Sequence, residues 1–295
     1  MIQLFQQRDF GDKINATFQY ITQNFRSFGR ALLYIVGPIV VVTGIASGIL
    51  QSNMLRLAGN MTKGQPDNPL AMIQIISQFA SPSFWLTALL GLLTNVVVVL
   101  TTYGHMKAYD QTGGRAIEVT DVWAEVQPVI GRAIVISVLG SILTAVAICF
   151  LVIPGIYVAV VLSLGLAVTM FEGTGFGETL ERCFKLIRDK WWSTFGLIVV
   201  VFIIITVVGM IFALPSAIVG FLVSAKILPD ASTTWLVMSN IIALIGRTLL
   251  NAVLYLAIGF QYTNLVERQE GRGLLSAIDT IGATTQGRQT NEGDY

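Results

Sequence analysis

The sequence predicts an all-α, polytopic membrane protein in which six transmembrane helices form three hairpins. Hydrophobic residues make up 54% of the 295 residues and charged residues only 12%, and the mean hydropathy is +0.72. This composition is too apolar for an ordinary soluble domain. Six apolar runs approach or exceed the roughly 20 helical residues that cross a bilayer. The predicted spans are residues 31–50, 84–103, 133–153, 156–171, 195–223 and 235–262.

A cytoplasmic amphipathic helix is predicted ahead of the first span, over residues 1–30. Its apolar positions follow in steps of three and four, which places them on one helix face, and Asp12 is a candidate cap. The segment differs from a cleavable signal peptide, so we expect the first span to remain as an anchor. The face can lie in the membrane interface or dock a partner helix. It consists of Ile14, Phe18, Ile21, Phe25 and Phe28.

The first hairpin carries several local signals. Gly44 and Gly48 have the spacing that lets another helix approach closely, and Pro38 favours a bend near the start of the span. Asn95 is the strongly polar residue of the second span. His105 follows that span, where an interfacial position is expected.

The polar connections also contain predicted elements. In the loop over residues 51–83, Asn68-Pro69 precedes an amphipathic helix that carries Met72, Ile75, Ile76 and Phe79. After the second span, Thr120 and Asp121 are candidate caps of a helix that Pro128 ends or kinks. Pro154-Gly155 is the predicted turn of the second hairpin.

The most distinctive stretch is residues 177–201, where an amphipathic helix is predicted to run directly into the fifth span. Trp191 and Trp192 lie between the two parts, and tryptophans are enriched at membrane interfaces. Together with Lys185 and Arg188 they are the predicted interfacial anchors. Beyond the sixth span, residues 263–295 are predicted to form a short cytoplasmic helix and a disordered tail.

Basic residues divide unequally between the two ends of the predicted spans. Four Lys or Arg precede the first span, three lie between the second and third, four between the fourth and fifth, and three follow the sixth. The opposite side carries only Arg56, Lys63 and Lys226. Since positive residues concentrate on the cytoplasmic side, both termini and the amphipathic helices are predicted to be cytoplasmic.

An internal repeat is a second hypothesis from the sequence. The pattern of amphipathic helix followed by hairpin occurs three times. FQYITQNFRS at 18–27 aligns with FKLIRDKWWS at 184–193, and GRALLYIVG at 29–37 resembles GRAIVISVLG at 131–140. Chance alignment of apolar spans is the alternative, and superposable hairpins would distinguish the two.

Three segments resemble a known family: VIPGIYVAVVLSL at 152–164, FEGTGFGETLERCFKLIRDKWWSTFGL at 171–197 and YTNLVERQEG at 262–271. The chain resembles bacterial membrane proteins related to the membrane domain of glycerophosphoryl diester phosphodiesterase. The resemblance implies six helices in the bacterial cytoplasmic (inner) membrane. It implies no hydrolase, because in that family the catalytic phosphodiesterase is a separate soluble domain.

The candidate site of the sequence is an intramembrane polar group formed by Arg247, Asn251 and Asn95. Arg247 is the only formally charged residue in a predicted span, so it should face the bundle or a watery cavity. Its guanidinium needs carbonyls, amides, water or an anion such as a lipid phosphate as acceptors, or it snorkels toward the interface. Bonding to carbonyls at a helix kink is the favoured interpretation.

Three classes of function compete. An enzyme is disfavoured, because the spans contain no Asp, Glu or His for acid–base chemistry. The residues suggest no cofactor, no metal site and no nucleic-acid partner. The favoured function is a non-catalytic membrane module that binds partner membrane proteins or lipids, with the bilayer and anionic lipid as partners. The alternative is a transporter or translocator of an anionic or lipid-derived solute.

Overall fold

The computed structural model describes residues 2–61, 73, 76–113, 117–225, 227, 232–273 and 275. Over these residues the chain is helical without strands, and six helices are long and apolar enough to cross a membrane. The all-α fold class with six span-length helices is therefore confirmed. The helices are α1 Phe10–Ala31, α2 Gly37–Met61, α3 Pro82–Thr112, α4 Val119–Val126, α5 Ile130–Phe150, α6 Val152–Leu162, α7 Gly165–Glu172, α8 Phe176–Ile187, α9 Trp191–Ser224 and α10 Ser232–Glu270.

The helix α1, which is kinked at Asn24, continues into α2 through one π-helical turn, Leu32–Val36. This turn lies directly before Pro38, whose ring would clash with the carbonyl of an undistorted preceding turn. The N-cap of α1 is Asp9 and not Asp12, which lies in the first turn. Of the loop helix predicted after Asn68-Pro69, residues 73 and 76–79 are described and are helical, and its apolar residues Ile76 and Phe79 are exposed. The rest of that predicted helix, including Met72 and Ile75, lies outside the described residues, as do residues 274 and 276–295.

The buried face of α1 differs from the predicted apolar face. Lys13, Thr17 and Tyr20 are buried, whereas Phe18 and Phe25 are exposed. The helix therefore turns a partly polar stripe toward the bundle and leaves much of its apolar stripe outside. That arrangement suits a helix whose outer face contacts lipid.

Gly44 and Gly48 bring α2 against α10, which confirms the close approach predicted from their spacing. A Cβ added at Gly44 would lie 3.1 Å from Cα of Ile241, and one at Gly48 would lie 2.6 Å from Cα of Val237. The partner residues are also four positions apart, so the two helices meet along matching rows.

The turn between α5 and α6 lies at Leu151 and not at Pro154-Gly155. Leu151 is extended, with φ −158° and ψ 130°, and α6 begins at Val152. Pro154 is tolerated in the first turn of α6, where its missing N–H would have no partner. Gly155 serves packing, because an added Cβ would lie 2.7 Å from Cα of Ile148 on α5.

The amphipathic helix around Cys183 does not run directly into the fifth span. α8 ends at Ile187 and α9 begins at Trp191, with Lys190 at φ −130° and ψ 18° between them. Asn24, which aligns with Lys190 in the predicted repeat, has similar non-helical angles, φ −109° and ψ 16°. The shared break agrees with the repeat hypothesis, which remains a prediction.

A second break separates α4 from α5, as predicted for Pro128. The 3-10 turn Gln127–Val129 joins them. The N-cap of α4 is Glu118, which forms a capping box with Asp121. The Glu118 backbone N–H donates to the Asp121 carboxylate at 2.9 Å. Thr120, the other candidate cap, lies inside the helix.

Several of the largest fully buried side chains lie where α1, α3, α7, α8, the start of α9 and the last turns of α10 meet. This part of the bundle is called the basal end below. Large side chains there are fully buried: Tyr20, Tyr103, Phe260 and Tyr262. Gln269 Nε2 of α10 donates to the Lys185 carbonyl at 3.1 Å, which fixes α8 against the end of α10.

Candidate functional site

Arg247 lies on α10 beside a groove between α2, α9 and α10. Ser232, the first residue of α10, is about 22 Å away, and Gln261 is about 21 Å away in the other direction, at about 1.5 Å rise per residue. Arg247 is therefore close to the middle of the helix. The groove has a volume of about 560 Å³, and the side chain of Arg247 is exposed on it.

The groove combines an apolar wall with polar groups. Phe202, Met210 and Leu250 contribute to the wall, and Asn251 follows Arg247 by one helical turn. Four other polar side chains line the groove. They are Ser47, Thr206, Ser216 and Asn240.

Arg247 makes no hydrogen bond or ion pair within the described part of the chain. The expectation that backbone carbonyls would bind its guanidinium is therefore wrong for these residues. The charged side chain of Arg247 instead lines the lateral groove. The guanidinium carries five N–H donors, which remain available to a ligand or to water.

The three predicted site residues, Arg247, Asn251 and Asn95, do not form one site. Asn251 shares the groove with Arg247. Asn95 does not line it: its Nδ2 donates to the Tyr255 hydroxyl at 2.6 Å, which ties α3 to α10. Asn95 therefore connects two helices, and its partner Tyr255 lies one turn beyond Asn251 along α10.

The predicted interfacial anchors also differ in environment. Trp191 is half-buried and stacks between Tyr157 and Phe195, with ring centroids 5.7 Å and 5.1 Å away. Trp192 is 77% exposed, and Lys185 and Arg188 are exposed as well. Trp191 thus belongs to an aromatic stack, and the other three residues form the outer surface at the α8–α9 break.

His105 lies inside α3, and its side chain is buried in the bundle; its interfacial position stays a prediction. Its Nδ1 is 2.7 Å from the Tyr20 hydroxyl and its Nε2 is 3.1 Å from Ser27 Oγ. The side chain is fully buried. Because α3 extends to Thr112, nine residues past the predicted end of the span, the histidine is held within the helical bundle.

An ion-pair network at the basal end was missed by sequence reasoning. Arg182 of α8 donates from Nε to both carboxylate oxygens of Glu172, at 3.0 and 2.9 Å, and from Nη2 to Glu270. The Tyr262 hydroxyl donates to the same Glu172 at 2.8 Å. Burial lowers the pKa of Arg182, but its hydrogen bonds to Glu270 and Glu172 outweigh burial and raise it above the ordinary value. Glu172 and Arg182 are 10 positions apart, but Glu270 is 88 positions from Arg182 and Tyr262 is 90 positions from Glu172. No local pattern therefore pointed to the network.

Cys183 is enclosed beside this network. Burial, followed by the charge of Glu172, raises the pKa of its thiol to about 12. The described residues contain no group of three His, Cys, Asp or Glu that could hold a metal ion. The arrangement is that of a structural helix junction.

Residues 117–266 match the model of a family described as a domain of unknown function, DUF7847. The match covers half of the chain. The protein belongs to the DUF7847 family. Within this DUF7847 protein the matched range includes α4 to α9 and most of α10, and therefore Trp191, Arg247 and Asn251. No curated protein and no solved structure matches the chain, and the family match carries no link to glycerophosphoryl diester phosphodiesterase.

Proposed function

We propose that this protein is a non-catalytic membrane module that binds anionic lipid at the Arg247 groove, as an accessory or subunit of a membrane complex. The observation that carries the proposal is the position of Arg247: a permanent charge beside a mid-helix groove, with no acceptor in the described part of the chain. The proposed location is the bacterial cytoplasmic membrane, with both termini in the cytoplasm, as the distribution of basic residues favours.

The chemistry of the groove suits a lipid with a phosphate group. A charge near the bilayer centre costs about 2.5–3.5 kcal/mol on insertion scales, and an anion bound to it offsets part of that cost. A phosphate oxygen pair can accept two parallel N–H bonds from a guanidinium. The apolar wall that includes Phe202 and Met210 can contact the acyl chain of the same lipid.

A non-catalytic role is also what the sequence resemblance to the membrane domain of glycerophosphoryl diester phosphodiesterase implies, although the DUF7847 match carries no link to that enzyme. In the family that the chain resembles, the hydrolase is a separate soluble domain. Helices packed through small residues, such as Gly44 and Gly48, and exposed interfacial residues, such as Trp192, are sufficient for a module that binds lipids and partner membrane proteins.

Native mass spectrometry of protein released from nanodiscs tests the proposal. The nanodiscs contain phosphatidylcholine and phosphatidylglycerol. We expect the wild type and Arg247→Lys to retain phosphatidylglycerol, and Arg247→Gln to lose most of it. Arg26→Gln is the matched control, because Arg26 is an exposed arginine of α1 away from the groove. Equal retention by wild type and Arg247→Gln would overturn the proposal.

Transport of an anionic solute is the second candidate. Arg247, Asn251 and Tyr255 follow one another every four residues along α10, so polar groups continue from the groove toward the basal end. Uptake of labelled glycerol 3-phosphate into proteoliposomes by the wild type, with loss in Arg247→Gln, would favour transport over a binding module.

A further inference from the structure

A small cavity of about 160 Å³ lies at the basal end, where the N-terminus of α1, the N-terminus of α9 and the last turns of α10 meet. Four cationic side chains line it, and Asp9 is the one carboxylate in its lining. The cations are Arg8, Lys13, Lys190 and Arg268. The cavity is separate from the Arg247 groove.

Lys13 forms the inner wall of this cavity and is only 2% exposed. Its amino group donates to Gln261 Oε1 at 2.7 Å and to Ser193 Oγ at 3.1 Å. Both acceptors are neutral, and Lys13 makes no ion pair within the described residues. A buried ammonium is costly unless its charge is balanced, and Asp9 is the one carboxylate among the four cations of this lining. The environment of Lys13 therefore favours a further anion nearby.

The hydrogen bonds of the polar residues around Lys13 leave some of their donors available to a ligand. Gln261 Nε2 donates to Thr194 Oγ1 at 2.8 Å, which leaves its oxygen for Lys13. Asn264 accepts the Arg8 backbone N–H through Oδ1 at 2.8 Å, and its amide NH₂ group remains available as a donor to a ligand. Ser193 already accepts from Lys13 and keeps its hydroxyl hydrogen as a donor.

Two helix N-termini add to the positive potential. Asp9 and Lys190, the N-cap residues of α1 and α9, both line the cavity. The first N–H groups of a helix lack intrahelical partners and carry the positive end of the helix dipole. The Asp9 side chain makes no capping hydrogen bond, so the N–H groups of α1 are not occupied by it.

Lys190 and Arg268 are exposed, whereas Arg8 and Lys13 are buried. An anion would therefore meet the two exposed cations first and then the buried amine. Arg8 is tied by its guanidinium to the carbonyls of Gln3 and Leu4, so it contributes charge and not direct hydrogen bonds.

We propose that this cavity is a phosphate-binding site, which takes the phosphate monoester of a lipid headgroup or free inorganic phosphate. Lys13, Lys190 and Arg268 supply the charge, and Ser193 and Asn264 supply neutral donors. Phosphate fits this set because it offers several acceptor oxygens and up to two negative charges. The site goes beyond the proposed function, because it does not involve Arg247.

Two measurements distinguish the two sources of phosphate. Isothermal titration of the purified protein with inorganic phosphate, in chloride at constant ionic strength, measures the free ion. Native mass spectrometry from phosphatidylcholine nanodiscs containing phosphatidic acid measures the headgroup. Binding of inorganic phosphate assigns the free ion. Retention of phosphatidic acid without binding of inorganic phosphate assigns the lipid, provided that this retention falls in Lys190→Gln/Arg268→Gln, which keeps the Arg247 groove intact. Failure of both in the wild type overturns the proposal.

The variants remove charge from exposed positions, so the fold is kept. The double variant Lys190→Gln/Arg268→Gln should weaken binding at least about tenfold, since it removes two charged donors. The matched control Arg26→Gln/Arg30→Gln removes two exposed arginines of α1 outside the cavity and should bind as the wild type does. Equal weakening in the two double variants would show a general charge effect and overturn the site.

Asp9→Asn provides the opposite test. It removes the only carboxylate of the cavity lining, and its side chain makes no capping bond that would be lost. Phosphate binding should become tighter by about threefold or more, because a like charge near the anion is removed. Unchanged or weaker binding in Asp9→Asn would contradict a phosphate at this position. All these variants keep Arg247. A negative result for the cavity would therefore leave the proposal for the Arg247 groove untouched.

Discussion

Lys13 and Gln261 are 248 positions apart in the chain, yet the Lys13 amino group donates to Gln261 Oε1 at 2.7 Å. The bond connects the first helix to the last and orients the amide that also reaches Thr194 of α9 at 2.8 Å. Three helices are thus joined by two hydrogen bonds at the basal end.

Replacing Gln261 by Leu should destabilise the protein by about 1–3 kcal/mol, because a buried ammonium loses its better acceptor. Thermal unfolding in detergent measures the change. In the double variant Lys13→Met/Gln261→Leu the cost should be smaller than the sum of the single changes, since no buried donor is left unpaired. Strictly additive effects would show that the two side chains are not coupled.

Replacing Arg182 by Met should destabilise the α8 junction by about 2–3 kcal/mol. Glu172 would stay largely buried, with side-chain exposure of 14%, and would keep only Tyr262 as a hydrogen-bond donor within the described residues. The estimate lies below that for a fully buried pair, because water partly screens the charges. Arg272→Met is the control: Arg272 is 41% exposed where it pairs with Glu270, and its loss should cost less than about 1 kcal/mol.

The Arg182 contribution should not change between pH 6 and pH 9. The folded pKa of Arg182 is raised above its ordinary value by Glu270 and Glu172, despite burial. A raised pKa gives stability that is complete below the unfolded pKa of about 12.5, and is lost only above it. The difference in melting temperature between wild type and Arg182→Met should therefore be equal at the two pH values. A difference that shrinks at pH 9 would contradict this assignment.

Cys183 should resist alkylation at pH 8 in the folded protein. Burial and the charge of Glu172 raise the pKa of its thiol to about 12, and the thiolate is the reactive form. Intact mass after iodoacetamide treatment of Cys149→Ser should show no adduct until the protein is unfolded in denaturant. Rapid modification of the native protein would mean that the α8 junction opens.

Gly48→Ala should separate α2 from α10, because the added Cβ would lie 2.6 Å from the Val237 backbone. We expect a destabilisation of about 1–3 kcal/mol from overpacking, measured by thermal unfolding. Gly91→Ala in α3 is the matched control, since nothing lies within 4 Å of its added Cβ. It should be neutral or slightly stabilising, because alanine favours a helix.

The orientation of the chain can be tested with cysteines at described positions. In a Cys149→Ser background, Ala80→Cys should react with a membrane-impermeant maleimide added to intact cells, and Asp189→Cys should react only after lysis. Both positions are exposed and lie at opposite ends of the predicted spans. The reverse pattern would overturn the cytoplasmic placement of the termini.

The sequence by itself determined the class of fold. Apolar runs of sufficient length must leave water as helices whose backbone groups are satisfied internally, so six span-length helices follow from composition and spacing. Local chemistry also predicted the helix break at Pro128 and the close approach of another helix at Gly44 and Gly48. Proline and glycine act on their immediate backbone surroundings, so their effects can be predicted from the sequence.

Only the tertiary structure decided which side chains meet. The sequence pattern places Lys13 on the polar side of an amphipathic helix. It is nevertheless buried, because Gln261 and Ser193, from helices far along the chain, supply its hydrogen-bond acceptors. His105 is likewise enclosed by Tyr20 and Ser27. A helical period fixes the direction of a side chain relative to its own axis, but burial and pairing depend on how the helices are rotated and packed against each other. Arg247 shows the same division: its sequence position predicts an unusual charge near mid-membrane, and the packing of α2, α9 and α10 decides that this charge faces a groove.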